Sequence, residues 1–518
     1  MDRKNSFTNI IKEGYACNGD SIILGGAMLD GQPIAEAQVK IPLKTMNRHG
    51  LIAGATGTGK TKTLQLISEQ LSEKGIPVLL MDVKGDLSGI AKPGEAKPFI
   101  TERQSKINLP FTPKGFPVEL MSLSQQEGVR LRATVSEFGP VLLSRILDLN
   151  DTQEGVISVI FKYCDDKKLA LLDLKDLKKV VQYVTEEGKA EIEKDYGKIS
   201  TATTGIIMRK VLELEQQGAD LFFGEMSFDI HDLMRVDKNG KGYISIIRLT
   251  DIQDKPKLFS TFMLSLLAEV YSQMPEKGDV GKPELVIFID EAHLIFNQAS
   301  KALLEQIENI VKLIRSKGVG IFFVTQNPMD VPNGVLAQLG LKVQHALRAF
   351  TAVDRKAIKL SAENYPVSEY YKTDETITSL GIGEALVTAL NEKGIPTPLA
   401  ATMLRTPVSR MDILTAAEIS SINSSSDLVR KYSETIDRES AYEILSKKVD
   451  TGKLKADDSG HMEREKGSWG EMEKAQPRIP RQTSYHSNSR SPQDEMVKVL
   501  TSATFIRGVF GILKKVMK

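Results

Sequence analysis

GLIAGATGTGKTKT, residues 50–63, opens on apolar residues, curls through three glycines and closes on a lysine and threonines. Gly54, Ala55, Thr56, Gly57, Thr58, Gly59, Lys60 and Thr61 satisfy G-x-x-x-x-G-K-[ST], with an apolar strand before them and a helical pattern after. Glycines let such a loop turn so that successive N–H groups face inward around a phosphate. Lys60 supplies a point charge for the β- and γ-phosphates of ATP, and Thr61 a hydroxyl for Mg²⁺. Lys62 completes the phosphate-binding stretch. The strand HGLIAG (49–54), the helix from Lys60 through LQLISEQL, and the strand VLLMDV (78–83) make one βαβ unit.

A phosphate loop of this kind needs a carboxylate on another strand. LVIFID (285–290) ends in Asp290, which fits a Mg²⁺ ligand, and Glu291 follows as general base for the attacking water. The bland alternative is an acidic pair capping the next helix. The tetrapeptide DEAH (290–293) invites comparison with the helicases named for it, but their other motifs are not found, and His293 reads as a local structural residue. GIFFVTQ (320–326) ends in Gln326, placed to hydrogen-bond a γ-phosphate or water, or else an ordinary polar strand end.

Outward from these motifs, the first residues read as short extended pieces, SIILGG (21–26) and AQVKIPL (37–43). Residues from about 130 to 275 are mainly helical, with one strand-like piece at 242–249. Strands KVQHALRA (342–349), EALVTAL (384–390) and PLAATML (398–404) follow. All-apolar strands separated by helices predict a mainly parallel sheet covered on both faces. The expected division is a β-rich segment 1–46, a core in two parts, 47–125 and 276–410, a helical insert 126–275, a helical extension 411–449, a disordered linker 450–495 and a basic amphipathic helix 496–518.

HGLIAGATGTGKTKTLQ (49–65), LLMDVKGDLSG (79–89), VSEFGPVLLSRILDLNDTQEGV (135–156), LVIFIDEAHLIF (285–296), LIRSKGVGIFFVTQNPMDVP (313–332) and AQLGLKVQHALRAFT (337–351) occur in that order. Together they resemble the HerA–FtsK superfamily of ring-forming, DNA-translocating P-loop ATPases, closest to the bacterial HerA-like helicase C-terminal domain proteins. The resemblance implies a RecA-like, additional-strand α/β fold with Walker A and Walker B motifs, and a homohexameric ring acting on DNA. It also implies Gln326 as sensor, Arg315 as a finger for the neighbouring subunit's ATP and Arg48 as a cis-acting arginine, with Arg348 and Arg355 as weaker candidates. The residues themselves also allow Arg315 to be a cation complementing a helix dipole. Residues 1–46 are too few for the N-terminal barrel of archaeal HerA proteins, so a nuclease partner is not carried over.

Among 518 residues, 68 Lys and Arg balance 67 Asp and Glu, so any polyanion site must be a local patch. Non-specific phosphate contacts would come from scattered cations such as Lys167, Lys168, Lys178, Lys179 and residues 235–242, each of which also reads as a solvated surface charge. Two cysteines, no signal-like apolar run at the start and no membrane-length apolar window predict a cytoplasmic protein. In segment 496–518, apolar residues at 3,4 spacing accompany Lys498, Arg507, Lys514, Lys515 and Lys518, which suits packing on protein or contact with an anionic membrane surface. The rival functions are an ATP-driven assembly, defence or secretion-linked ATPase without DNA motor activity, and a nucleotide-gated scaffold.

Overall fold

The computed structural model describes residues 3–278, 280–296, 301–434, 436 and 438–450. The expected linker 450–495 and amphipathic segment 496–518 lie, but for residue 450, outside the described residues.

In chain order the strands are β1 (Ser21–Leu29), β2 (Gln32–Pro42), β3 (Gly50–Ala53), β4 (Val78–Asp82), β5 (Val118–Ser122) and β6 (Val129–Arg130). They are followed by β7 (Ile244–Arg248), β8 (Leu285–Ile289), β9 (Val319–Thr325), β10 (Leu341–Gln344), β11 (Glu384–Thr388) and β12 (Ala400–Leu404). All join one sheet of order β2-β1-β12-β11-β10-β3-β9-β8-β4-β7-β5-β6. From β10 to β6 every pairing is parallel, and from β10 to β2 every pairing is antiparallel. The additional strand of the expected fold is β9, which stands between the phosphate-loop strand β3 and the acidic strand β8.

Both faces of the central strands are buried, which explains their unbroken apolar runs. Side chains alternate between two cores: Leu51, Ala53, Ile287 and Ile289 face one, while Ile52, Val286 and Phe288 face the other. The first core is roofed by α-helices whose starts are written in the sequence. Thr134 with Glu137, Asn150 with Gln153 and Asp173 with Asp176 form reciprocal capping boxes that begin helices Val135–Ile146, Asp151–Lys167 and Leu174–Tyr183.

Three expectations need correction. Residues 3–14, expected to be extended, form a helix, Arg3–Gly14, because Phe7 and Ile11 fall on one face and are fully buried. The N-terminal strands are not a separate segment either. Asp30 and Gly31 both take positive φ, 51° and 77°, the geometry of a tight hairpin turn, and the hairpin extends the main sheet through β12. The span 126–275, expected to be mainly helical with one strand-like piece at 242–249, holds that piece as β7, pairing with β4 and β5, and also the unanticipated short strand β6.

After β12 the chain runs along the helix that follows the phosphate loop, Lys60–Glu73. Gln65 donates to Ser409 Oγ at 2.7 Å, and the buried Glu69 carboxylate accepts the Val408 and Ser409 N–H groups at 2.9 and 3.0 Å. Among the described residues no helix is long and apolar enough to cross a membrane.

Candidate nucleotide-binding site

Strand polarity builds the site. Parallel pairing of β10, β3, β9, β8 and β4 brings their C-terminal ends to one edge, where the loops after them meet. The phosphate loop leaves β3 with Gly54 N–H bonded to Thr325 O (3.2 Å) and Ala55 N–H to Ala346 O (2.8 Å). Gly59 sits at φ 114°, a left-handed conformation that glycine adopts without penalty, and starts the helix there. At Gly54 a Cβ would lie 2.5 Å from the Cβ of His345, so only glycine fits.

Lys60 is buried and, with its ammonium inside the loop, donates to Gly54 O at 2.7 Å and Ala55 O at 3.2 Å. Burial and the neighbouring Lys84 ammonium hold its pKa below the usual lysine range. Thr61 is half-buried in the first helical turn. Thr56 Oγ1 donates to Gln326 Oε1 at 3.3 Å, so the end of β9 touches the loop. The Lys62 side chain donates to Met411 O at 2.6 Å, leaving its backbone for any phosphate.

Asp290 and Glu291 follow β8 on the same edge. Asp290 is 2% exposed; Oδ1 accepts the Glu291 N–H at 2.9 Å, and Oδ2 has no hydrogen-bond partner among the described residues. Burial, reinforced by Glu291, pushes its pKa up to about 7. An orphaned carboxylate oxygen in that position fits a divalent cation, which would offset the burial cost. Glu291 adopts φ 47°, unusual for a residue with a Cβ, and its carboxylate lies between the Lys84 ammonium and His293 Nδ1, the latter at 3.2 Å.

The arginines occupy the opposite edge. Arg315 lies in the turn Arg315–Lys317, after helix Lys301–Ile314 and before β9. Arg48 precedes β3, and its guanidinium lies beside Gly394, 3.5 Å from where a Cβ would stand. The left-handed His49 and the strand Gly50–Ala53, about 13 Å long, stand between Arg48 and Gly54. His49 pins that edge: Nδ1 accepts the Ile321 N–H at 3.0 Å, so the ring proton is on Nε2, which donates to Val311 O at 2.8 Å. Arg348 and Arg355 are exposed beyond β10, on the phosphate-loop edge, with Arg348 donating to Thr378 O at 2.9 Å. Of the scattered cations, Lys167 pairs with Glu191 (2.7 Å) and Lys178 with Glu215 (2.6 Å).

Two residues at the site had no assigned role from sequence. Lys84 stands in a stretch that drew notice only as a motif, and its partner Glu291 is far away in the chain. His345 lies fully buried beneath the loop, its Nε2 2.9 Å from Thr63 Oγ1. A histidine just past a buried strand was the only signal available for it.

The fold and this loop define a RecA-like P-loop fold of the additional-strand type. The profile of the family described as helicase HerA-like C-terminal matches residues 28–517, and the chain belongs to that family. The DNA double-strand break repair helicase HerA of Sulfolobus acidocaldarius is 22% identical over 359 residues, covering 68% of this chain and 64% of that protein. The DNA import protein CedB of the same organism is 24% identical over 369 residues, covering 70% of this chain and 53% of CedB. The chain thus spans less than two thirds of the length of these relatives. Among solved structures, the bacterial conjugative coupling protein TrwBdeltaN70 superposes with a TM-score of 0.51 at 15% identity, over 79% of this chain and 95% of that one. At that identity the likeness speaks to the fold.

Proposed function

We propose that this chain is an ATP-hydrolysing motor that assembles as a homohexameric ring and moves along DNA without reading its sequence. The observation that carries the chemistry is the convergence of Lys60, Asp290, Glu291 and Gln326 on one edge of the sheet, from β3, β8 and β9. ATP would lie with its phosphates over residues 54–61. Lys60 would exchange its loop carbonyls for β- and γ-phosphate oxygens, and Thr61 and Asp290 would hold Mg²⁺. The ion, when bound, offsets charge on the phosphates. Glu291 would accept the proton of the attacking water, and Gln326 would orient that water or the γ-phosphate.

Arg315 and Arg48 share the edge facing away from their own subunit's loop. In a head-to-tail ring that edge is the one a neighbour's ATP would meet, so both arginines are assigned to the adjacent site. DNA is proposed as the track because the relatives are named for DNA repair and DNA import. Phosphate contacts alone would suffice for binding, which makes it steeply dependent on salt.

Steady-state ATPase with and without duplex DNA, at 50 and 200 mM salt, tests this. Stimulation that collapses at the higher salt is expected. Turnover indifferent to DNA would leave an ATPase driving some other assembly.

A further inference from the structure

Lys84 pairs with Glu291 at the acidic strand end, and the proposed chemistry gives it nothing to do. It sits in the turn after β4, the immediate neighbour of β8. That turn is built to be stiff. Asp82 closes it by accepting the N–H groups of Gly85 at 2.7 Å and of Asp86 and Leu87 at 3.1 Å. Gly85 takes φ 79°, and Leu249 N–H bonds to Asp82 O at 3.0 Å from the other side. The backbone carrying Lys84 is therefore fixed while its side chain, 37% exposed, keeps room to move.

Its ammonium is paired with Glu291 Oε1, and the Glu291 side chain is only 6% exposed. His293 Nδ1 lies 3.2 Å from the second oxygen. A carboxylate held against an ammonium is not free to turn toward an attacking water.

We propose that Lys84 is a restraint on the general base: it holds Glu291 in an unproductive pairing that persists with ATP bound until duplex DNA engages, when the ammonium passes to the γ-phosphate beside Lys60 and frees the carboxylate. The idea rests on Glu291 being the base. It makes Lys84 a positioning residue whose loss speeds hydrolysis, the reverse of what losing a supporting contact would do. Chemically nothing new is required. One ion pair, of ammonium with carboxylate, is exchanged for another, of ammonium with phosphate oxygen.

The test uses the full chain and four variants: Lys84→Met, Lys84→Arg, Glu291→Gln and the double variant Lys84→Met/Glu291→Gln. ATP turnover is measured without and with duplex DNA, alongside binding of a fluorescent ATP analogue and thermal melting. Lys84→Met is expected to raise DNA-independent kcat roughly 3- to 10-fold, the scale of one partly exposed charge-assisted pair, with KM little changed. The DNA stimulation ratio should shrink correspondingly. Lys84→Arg should restore the slow basal rate, because a cation is again present. The double variant should be as inactive as Glu291→Gln. A lower or unchanged basal kcat in Lys84→Met, with melting and nucleotide binding intact, overturns the proposal. Should Lys84→Met melt early, Lys84→Gln is read by the same criteria. A Glu291→Gln protein that still turns over sinks the underlying assignment of the base instead, so the two failures are distinguishable.

Discussion

Replacing His345 by leucine should remove a defined portion of the protein's sensitivity to acid. The imidazole is fully buried under the phosphate loop, and burial, with the Lys60 ammonium nearby, lowers its pKa from 6.5 to about 4. The sign follows from linkage. A histidine depressed in the folded state is kept neutral there, so its contribution is complete above pH 6.5 and is lost as pH falls toward 4. At pH 5 the unfolded chain has bound the proton and the folded chain has mostly not. The penalty relative to pH 7.5 is then 1.5 pH units at about 1.36 kcal/mol each, roughly 2 kcal/mol. Asp82 and Asp290, raised by burial to about 6 and about 7, work the other way and gain stability as pH falls. Raw acid sensitivity of one protein is therefore uninformative, and the useful quantity is a double difference. Urea unfolding followed by far-UV circular dichroism at pH 7.5 and 5.0, on both proteins, gives it. The carboxylates cancel, and the parent should lose about 2 kcal/mol more than His345→Leu. A double difference below about 0.5 kcal/mol would refute the reasoning, because His345 would then titrate as though in water.

Glu291→Gln should bind ATP as the parent does but lose turnover by about 10²–10⁴, the usual contribution of a general base, measured by filter binding and phosphate release. Lys60→Ala should lose tight ATP binding itself, which equilibrium titration would register. Arg315→Ala should bind ATP yet hydrolyse it about 10³-fold or more slowly. Mixing it with Lys60→Ala should regain activity wherever an intact loop meets an intact finger, whereas a fully active Arg315→Ala would leave only a helix-end cation. Glu69→Ala strands the buried Ser409 N–H and the half-buried Val408 N–H, so a loss of about 1–3 kcal/mol is expected in unfolding experiments, with a neutral result arguing against the strap on the loop helix.

What could be read along the chain is what short-range physics controls. The unbroken apolar runs of β3, β8 and β9 announce strands buried on both faces. Thr134 with Glu137 and Asn150 with Gln153 announce helix starts, because a cap and its helix lie within one turn of each other. The strand β5 escaped notice because Glu119 interrupts its apolar run. That carboxylate is tolerated inside the fold because Arg235 and Ser426, both remote in sequence, meet it there. The helix Arg3–Gly14 escaped notice for a similar reason: only Phe7 and Ile11 mark its inward face, and the surface they cover, chiefly β2, comes later in the chain.

The site divides the same way. Gly54 to Thr61 is a contiguous motif, so the phosphate-binding role proposed for it was legible before any fold was known. Arg48 lies close to it in sequence yet belongs to the far edge, since an extended strand carries each residue about 3.3 Å further along. The meeting of Lys84 with Glu291, the seat of His345 beneath the loop and the insertion of β9 between β3 and β8 depend on which strands pair. Pairing is settled by burying both faces of a whole sheet at once, a sum over distant residues that no local window contains.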